Sequence, residues 1–419
     1  MCLHRAHLHR VFPAFRHVCH VIFIDTSASL HAAKHFLAPL AHFVPLTDYI
    51  DLCSAWALGE GAWSMGQTLS EPVTKKDSAS CANENYLVGS SCMQGWRVDM
   101  EDAHTHLLSL PDDPKCAFFA VYDGHGGSKV SQYSGINLHK KVVGRKEFSE
   151  GNLKAAIERG FLDLDQQMRT DEETKDDVSG TTAVCVLIKE DNVFCGNAGD
   201  SRAVCSVLGA ARPLSFDHKP SHEAEARRIV AAGGWVEFNR VNGNLALSRA
   251  LGDFAFKNND SKSAEEQIVT AFPDVITDKL TPDHEFIVLA CDGIWDVLTN
   301  QEVVDFVREK LSEKRDPQSI CEELLTRCLA PDCQMGGLGC DNMTAVIVGL
   351  LHGQSPDELF NKCSRPAVFT QNEDNSDYNG HWSTTDQGIA RVINNFEDRV
   401  AVGDDDDDDN EPAPSNFHV

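Results

Sequence analysis

The chain has 419 residues, 42 % of them hydrophobic, enough for a sizeable core in one large domain with extensions or in two domains. Its formal net charge of -27 argues against a nucleic-acid partner, which needs a basic footprint. Fifteen cysteines without paired spacing fit reduced cytosolic thiols better than a disulfide framework, and no apolar run approaches the roughly 18 residues of a membrane span.

Residues 1–64 hold eight of the 18 histidines and no Asp or Glu before Asp25. The apolar stretch Val18–Ile24 is short and broken by His20, so 1–64 reads as an unordered or spurious extension better than as a targeting presequence. At 65–84 the chain runs Met65-Gly66-Gln67-Thr68-Leu69-Ser70, the myristoylation pattern, which operates when Met65 is the start and Gly66 becomes the N-terminus. A myristoylated Gly66 predicts peripheral membrane attachment of a cytoplasmic protein. One such chain gives an affinity of only about 10⁴ M⁻¹, and Lys75-Lys76 is a weak second signal.

Residues 85–350 read as one domain. Apolar β-rich runs recur at Ala117–Tyr122, Thr182–Ile188, Val193–Cys195, Ala203–Val207, Phe286–Ala290 and Ala345–Leu350. Between them Asn152–Arg169 places Leu153, Ile157, Phe161 and Leu164 at helical spacing, and His222–Ala232 is followed by the stop signal Gly233. Thr299 and Glu302 form a capping box ahead of the helical pattern Val303–Leu311. Short turns such as Glu190-Asp191-Asn192 favour antiparallel sheets with helices packed outside, an α+β fold, over a regular βαβ array. From 351 to 419 the chain is a polar, acidic tail, with a weak helical pattern at Thr385–Val400 and a run Asp404–Asp409 followed by Pro412 and Pro414. That run is no calcium loop, because Asp409 stands where the loop needs Gly and Ser415 where it needs Glu.

Four acidic segments each abut an apolar strand. Phe118–Tyr122 runs into Asp123-Gly124-His125-Gly126-Gly127, Cys195-Gly196-Asn197-Ala198 into Gly199-Asp200-Ser201-Arg202, and Ile287–Ala290 into Cys291-Asp292-Gly293, while Asp341-Asn342-Met343-Thr344 enters the strand Ala345–Leu350. Taken singly, Asp-Gly is a common turn pair, and a turn is the simpler account of each. Together, carboxylates converging from separate strands repel one another unless cations sit among them, and an all-oxygen site suits Mg²⁺ or Mn²⁺. Upstream, Gln94-Gly95-Trp96-Arg97-Val98-Asp99-Met100-Glu101-Asp102 adds further carboxylates and an arginine able to fork a phosphate or to make a surface ion pair.

The segments Gln94–Asp102, Phe118–Gly127, Ser179–Ala183, Gly199–Arg202, Asp217–Pro220, Ser248–Asp253, Ala290–Asp296 and Asp341–Thr344 stand in the order of a known family. Over about residues 86–350 the chain resembles the metal-dependent type 2C protein serine/threonine phosphatases of eukaryotes. The resemblance implies a four-layer α-β-β-α sandwich, two antiparallel sheets flanked by helices. It implies two Mg²⁺ or Mn²⁺ ions bridged by Asp123, with the Gly124 carbonyl, Glu101, Asp292 and Asp341 completing the pair and Asp200 holding a weaker third. It makes Arg97 the phosphate clamp, His125 the leaving-group acid and Asp102 the residue that orients the attacking water. The expected reaction is hydrolysis of phosphoserine and phosphothreonine in proteins by direct attack of a metal-activated water, in a monomer, without a phosphoenzyme. No role follows from the sequence for Arg249.

Rival readings are weaker. Cys321 and Arg327 have the spacing of a cysteine phosphatase, but Glu322–Thr326 holds no glycine and continues a helical pattern. Cys328, Cys333 and Cys340 lack the close paired spacing of a zinc site. The alternative of another class is a phosphatase-like module that binds phosphoproteins without turnover, which an incomplete acidic set would have favoured.

Overall fold

A strand covered on both faces has no polar side, so it reads in sequence as a continuous apolar run rather than an alternation. That is the state of most strands in the computed structural model, which describes residues 68–111, 113–333 and 337–369 and the backbone of 382–383 and 391–392.

The chain opens with β1 (Thr68–Ala82), β2 (Tyr86–Arg97), β3 (Ala103–Leu107), β4 (Cys116–Tyr122) and the two-residue β5 (Gly124–His125). Helices α1 (Lys129–Val143), α2 (Lys146–Ser149) and α3 (Leu153–Met168) follow, then β6 (Gly180–Thr181), β7 (Ala183–Lys189), β8 (Asn192–Ala198), β9 (Arg202–Val207) and β10 (Ala210–Pro213). An excursion carries α4 (Glu223–Ala231), the hairpin β11 (Val236–Glu237) and β12 (Arg240–Val241), and β13 (Leu251–Gly252). The chain returns through β14 (Asp274–Lys279), β15 (His284–Ala290), α5 (Asp292–Trp295), α6 (Asn300–Ser312), α7 (Pro317–Cys328), β16 (Met343–Leu350) and α8 (Pro356–Cys363).

One sheet has six strands in the order β1-β2-β16-β15-β9-β10, and a second has five in the order β14-β8-β7-β4-β3. Neighbours in both are antiparallel. Val88, Phe119, Val121, Val184, Val186, Ile287, Leu289, Val346 and Val348 form the core between the sheets. On the outer face of the six-stranded sheet, Val303, Val307 and Leu311 of α6 and Ile320, Leu324 and Leu325 of α7 pack on Phe286, Val288 and Ile347. On the other side, Val130, Leu138 and Val142 of α1 and Ile157, Phe161 and Leu164 of α3 pack on Phe118, Ala120 and Cys185. The result is the α-β-β-α sandwich of the α+β class.

The elements expected from sequence lie where their chemistry placed them. Asn152 caps α3 by accepting from the Ala155 backbone N–H, His222 and Ala232 flank α4, and Thr299 with Glu302 makes the capping box of α6. Cys321 and Arg327 both lie within α7, so no phosphate loop lies between them.

Three expectations need correction or extension. Cys333 and Cys340 form a disulfide, with Cα atoms 6.0 Å apart, against the expectation of reduced thiols throughout. Gly337 and Gly339, just before Cys340, are both at positive φ, a conformation that suits glycine. The bond also removes two of the three candidate zinc thiols, and ten other cysteines among the described residues are free. Second, two elements outside 85–350 join the same body: β1 pairs along β2, and Leu359 and Cys363 of α8 enter the core beside α6. Third, within Thr385–Val400 the described residues Arg391–Val392 form a two-residue strand with Trp382–Ser383 rather than helix, and the rest lies outside the described residues. Met65-Gly66 and Asp404–Asp409 lie outside them as well. Among the described residues no helix is long and apolar enough to cross a membrane.

Candidate active site

The antiparallel register gathers the acidic segments on one rim. Ala290 at the end of β15 pairs with Ala345 near the start of β16 and with Arg202 at the start of β9, while Met343 pairs with Met93 near the end of β2. On the facing sheet β4 ends at Tyr122, and Asp123 follows, its backbone tied to Thr182 at both ends. The Asp123 N–H donates to Thr182 Oγ1 at 3.1 Å, and the Thr182 N–H donates to the Asp123 carbonyl at 2.9 Å. Gly124 sits against the Glu101 backbone, where a Cβ would fall 2.2 Å from the Glu101 carbonyl oxygen, so the close approach requires glycine.

Two overlapping groups of potential ligands result. Asp102, Asp123 and Cys291 form one, Asp123, Asp200 and Asp292 the other, each with ligand atoms within 4.8 Å of one another. Asp123 belongs to both. Asp102 and Asp200 are buried, and Asp123 and Asp292 are half-buried. Withdrawal from water, then the charges of Asp292, Asp102, Asp341 and Asp200, push the Asp123 carboxyl well above the usual range. Burial, then Asp200 and Asp341, does the same to Asp292. Burial raises Asp102 to about 7, against the Thr344 hydroxyl, which donates to its Oδ2 at 2.7 Å. Asp102 Oδ1 is buried with no hydrogen-bond partner of ordinary geometry among the described residues, although the neighbouring Cys291 thiol also works against the rise. Burial raises Asp200 too, although Lys219 Nζ donates to its Oδ2 at 2.6 Å. Such a cluster is costly unless positive charge enters it.

Of the other expected residues, Glu101 and Asp341 belong to neither tight group. Asn342 ties them in place. Its side-chain oxygen accepts from the Glu101 N–H at 2.9 Å, its amide donates to the Gln94 and Asp99 carbonyls, and its own N–H donates to Asp341 Oδ1 at 2.7 Å. Arg97, the expected phosphate clamp, pairs with Asp341 Oδ2 at 2.5 Å and stays partly exposed. His125 hydrogen-bonds through Nε2 to Asp253 Oδ2 at 2.7 Å. Burial alone would lower its pKa, but Asp253, with Asp200 and Glu101 farther off, raises it.

Several participants were not singled out from sequence: Asp253, Lys219, Cys291, Asn342, Thr182 and Thr344. Lys219 and Asp253 stand in the matched segments Asp217–Pro220 and Ser248–Asp253, and that was their one signal. Arg249 turns out to be structural. It holds the Glu225 carboxylate through Nε and Nη2 and reaches Asp274 Oδ1 at 2.8 Å, and Arg228 binds the same Glu225 at 2.7 Å.

Known proteins resemble this chain in sequence and in fold. The sequence pattern of the family described as protein phosphatase 2C matches residues 86–335. A relative in Caenorhabditis elegans, named a probable protein phosphatase 2C, is 84 % identical over 361 residues, covering 85 % of this chain and 100 % of its own. The Schizosaccharomyces pombe protein phosphatase 2C homolog 3 is 51 % identical over 302 residues, 71 % of this chain and 72 % of its own. Among solved structures, a phosphatase from a pathogenic strain of Toxoplasma gondii superposes with a TM-score of 0.58 at 30 % identity, covering 67 % of this chain and 96 % of that one. The serine-threonine phosphatase 2C from the same organism shares the fold with a TM-score of 0.56 at 23 % identity, covering 68 % and 98 %. With its sandwich and its rim of acids, the chain belongs to the protein phosphatase 2C family and is a protein-serine/threonine phosphatase.

Proposed function

We propose that the chain releases phosphate from phosphoserine and phosphothreonine in proteins by direct attack of water, using Mg²⁺ or Mn²⁺. The observation that carries this reading is the shared place of Asp123 in two ligand groups, one of three carboxylates and one of two carboxylates and the Cys291 thiol, that have too little positive charge of their own. The donor set fits hard divalent cations: carboxylate oxygens, the orphaned Asp102 Oδ1 and a glycine that leaves the backbone open. Asp123 would serve two ions, with Glu101, Asp292, Asp341 and the Gly124 carbonyl around them and Asp200 toward a weaker third. Bound there, the ions would neutralise the carboxylates and make water a nucleophile near neutral pH.

The chain's own residues do the rest. Arg97 orients the phosphoryl group with its planar fork. Asp102, aimed by Thr344, holds the attacking water. His125 gives a proton to the serine or threonine oxygen as the P–O bond breaks, because the alkoxide is a strong base. The phosphorylated region of a partner protein is the substrate, taken by a monomer, with no nucleic acid.

Phosphothreonine-peptide turnover with Mn²⁺ tests this. Release of inorganic phosphate, lost with a chelator and restored by metal, is expected, with no phosphate left on the protein after an acid quench. Phosphate trapped covalently would refute direct attack, and tight binding without release would identify a phosphoprotein-binding module instead. The pattern beginning Met65-Gly66 further supports a myristoyl anchor and peripheral membrane association, which the intact mass of the native protein checks.

A further inference from the structure

His125 is seated by a structure built around one glycine. The small sheet β13-β6-β5 lies beside the rim. In it His125 pairs with Gly180, and Gly180 pairs with Gly252, so the three residues form one row across the strands. Asp253 follows Gly252. The His125–Asp253 hydrogen bond of 2.7 Å therefore spans the central strand above Gly180. A Cβ on Gly180 would lie 2.2 Å from Asp253 Oδ2 and 2.5 Å from His125 Nε2.

Asp253 has few other reasons to be there. Its residue is 6 % exposed, and its φ of 49° is a left-handed conformation that Asp tolerates better than most residues other than glycine. Among the described residues its carboxylate accepts a hydrogen bond from His125 alone. A carboxylate only accepts, so Nε2 carries the hydrogen of this pair. The second ring nitrogen, Nδ1, makes no hydrogen bond to the described residues.

We propose that Asp253 is a positioning residue, fixing the His125 ring through Nε2 so that Nδ1 delivers the proton to the departing serine or threonine oxygen. This rests on the reading of His125 as the leaving-group acid. In that step the water oxygen bonds to phosphorus while the P–O bond to the side chain breaks. The departing oxygen keeps the electron pair and takes the Nδ1 proton. A proton from the attacking water restores the imidazolium, so phosphoester and water become free hydroxyl and inorganic phosphate. Gly180 takes part by leaving room for the pair.

The test compares leaving groups in the full-length protein with Mn²⁺. A phosphothreonine peptide needs the acid; p-nitrophenyl phosphate, whose phenolate leaves unaided, does not. For Asp253→Ala we expect kcat on the peptide to fall roughly 10- to 100-fold, and kcat on p-nitrophenyl phosphate to fall less than about threefold. Asp253→Asn, whose amide oxygen can accept the same bond, should recover most of the peptide activity. Gly180→Ala, which retains both side chains but forces them apart, should reproduce the split if Asp253→Ala is poorly folded. Added to His125→Gln, Asp253→Ala should cost the peptide reaction nothing more. Equal losses on both substrates for Asp253→Ala and Gly180→Ala, or an additive double variant, would overturn the proposal while leaving His125 as the acid. Equal losses for His125→Gln itself would overturn that reading and the positioning role with it.

Discussion

Glu225 and Asp102 are both buried acids, each held by polar neighbours, yet their surroundings drive them in opposite directions. Burial by itself would raise Glu225, but Arg249, Arg228 and His218 hold its carboxyl far below the usual range. Around Asp102 the nearest charges include Asp341 and Asp123, and burial takes it up to about 7. The first cluster is finished: two arginines fork one carboxylate and tie α4 to the segment before β13 and to Asp274 of β14. The second is unfinished by design of its neighbours, acid beside acid with Lys219 and Arg97 at its margins. A buried charge network complete in itself asks for no further partner, and one that lacks counter-charge is a candidate binding site.

The largest effect is expected at Asp123. Asp123→Ala takes away the ligand common to both groups, and kcat should fall by at least about 10³-fold, on the scale of lost electrostatic stabilisation in an active site. The metal-free fold should be no less stable, because one of several repelling carboxylates has gone. Steady-state phosphate release and thermal melting in chelator check both halves. A variant that melts well below the wild type in chelator would mean that Asp123 supports the fold as Glu225 does.

The reverse result is expected at the finished cluster. Glu225→Gln leaves Arg228 and Arg249 facing each other with their shared counter-charge gone, which should cost roughly 3–5 kcal/mol of stability. Urea unfolding measures it. The folded fraction should keep its KM for a phosphopeptide, since the residue touches no ligand group of the rim. A large change in KM with unchanged unfolding would place Glu225 in the substrate site instead.

How much of this was legible in the sequence follows from the range of each interaction. Asp123 and Asp292 were readable because each ends a continuous apolar strand, a signal contained in a few residues. The sandwich was readable from the same runs and from the short turns between them. β1 was not, because an edge strand with mostly exposed residues such as Glu71, Lys75 and Asp77 carries no apolar run. Glu225 stands in a helix of Glu, Ala and Arg that reads as a solvated face, and what buries it is Arg249, 24 residues away. The His125–Asp253 pair spans 128 residues and Arg97–Asp341 spans 244, so neither leaves a local pattern. The disulfide joins two cysteines seven residues apart, a spacing that in a chain of fifteen cysteines marks no pair.

The smallest effect expected, and the one that separates the two clusters without a mutation, is the pH dependence of stability. Asp102, Asp123 and Asp292 have folded-state pKa values raised above the unfolded carboxylate value of about 3.9. A raised carboxyl is favourable while protonated, so its contribution is present below about pH 4 and is lost as pH rises, through about 7 for Asp102. Glu225 is depressed, so its contribution is present above its unfolded value of about 4.3 and is lost as pH falls below that. In chelator the protein should therefore gain a few degrees in melting temperature from pH 8 to about pH 5, and lose stability below about pH 4. Saturating Mg²⁺ or Mn²⁺ should flatten the upper limb, because a cation binds the ionised acids and replaces the proton that stabilised them. The lower limb should remain with metal present and be much reduced in Glu225→Gln. A metal-free melting temperature that stays flat from pH 5 to 8 would mean that the rim acids already have partners, and the contrast with Glu225 would fall.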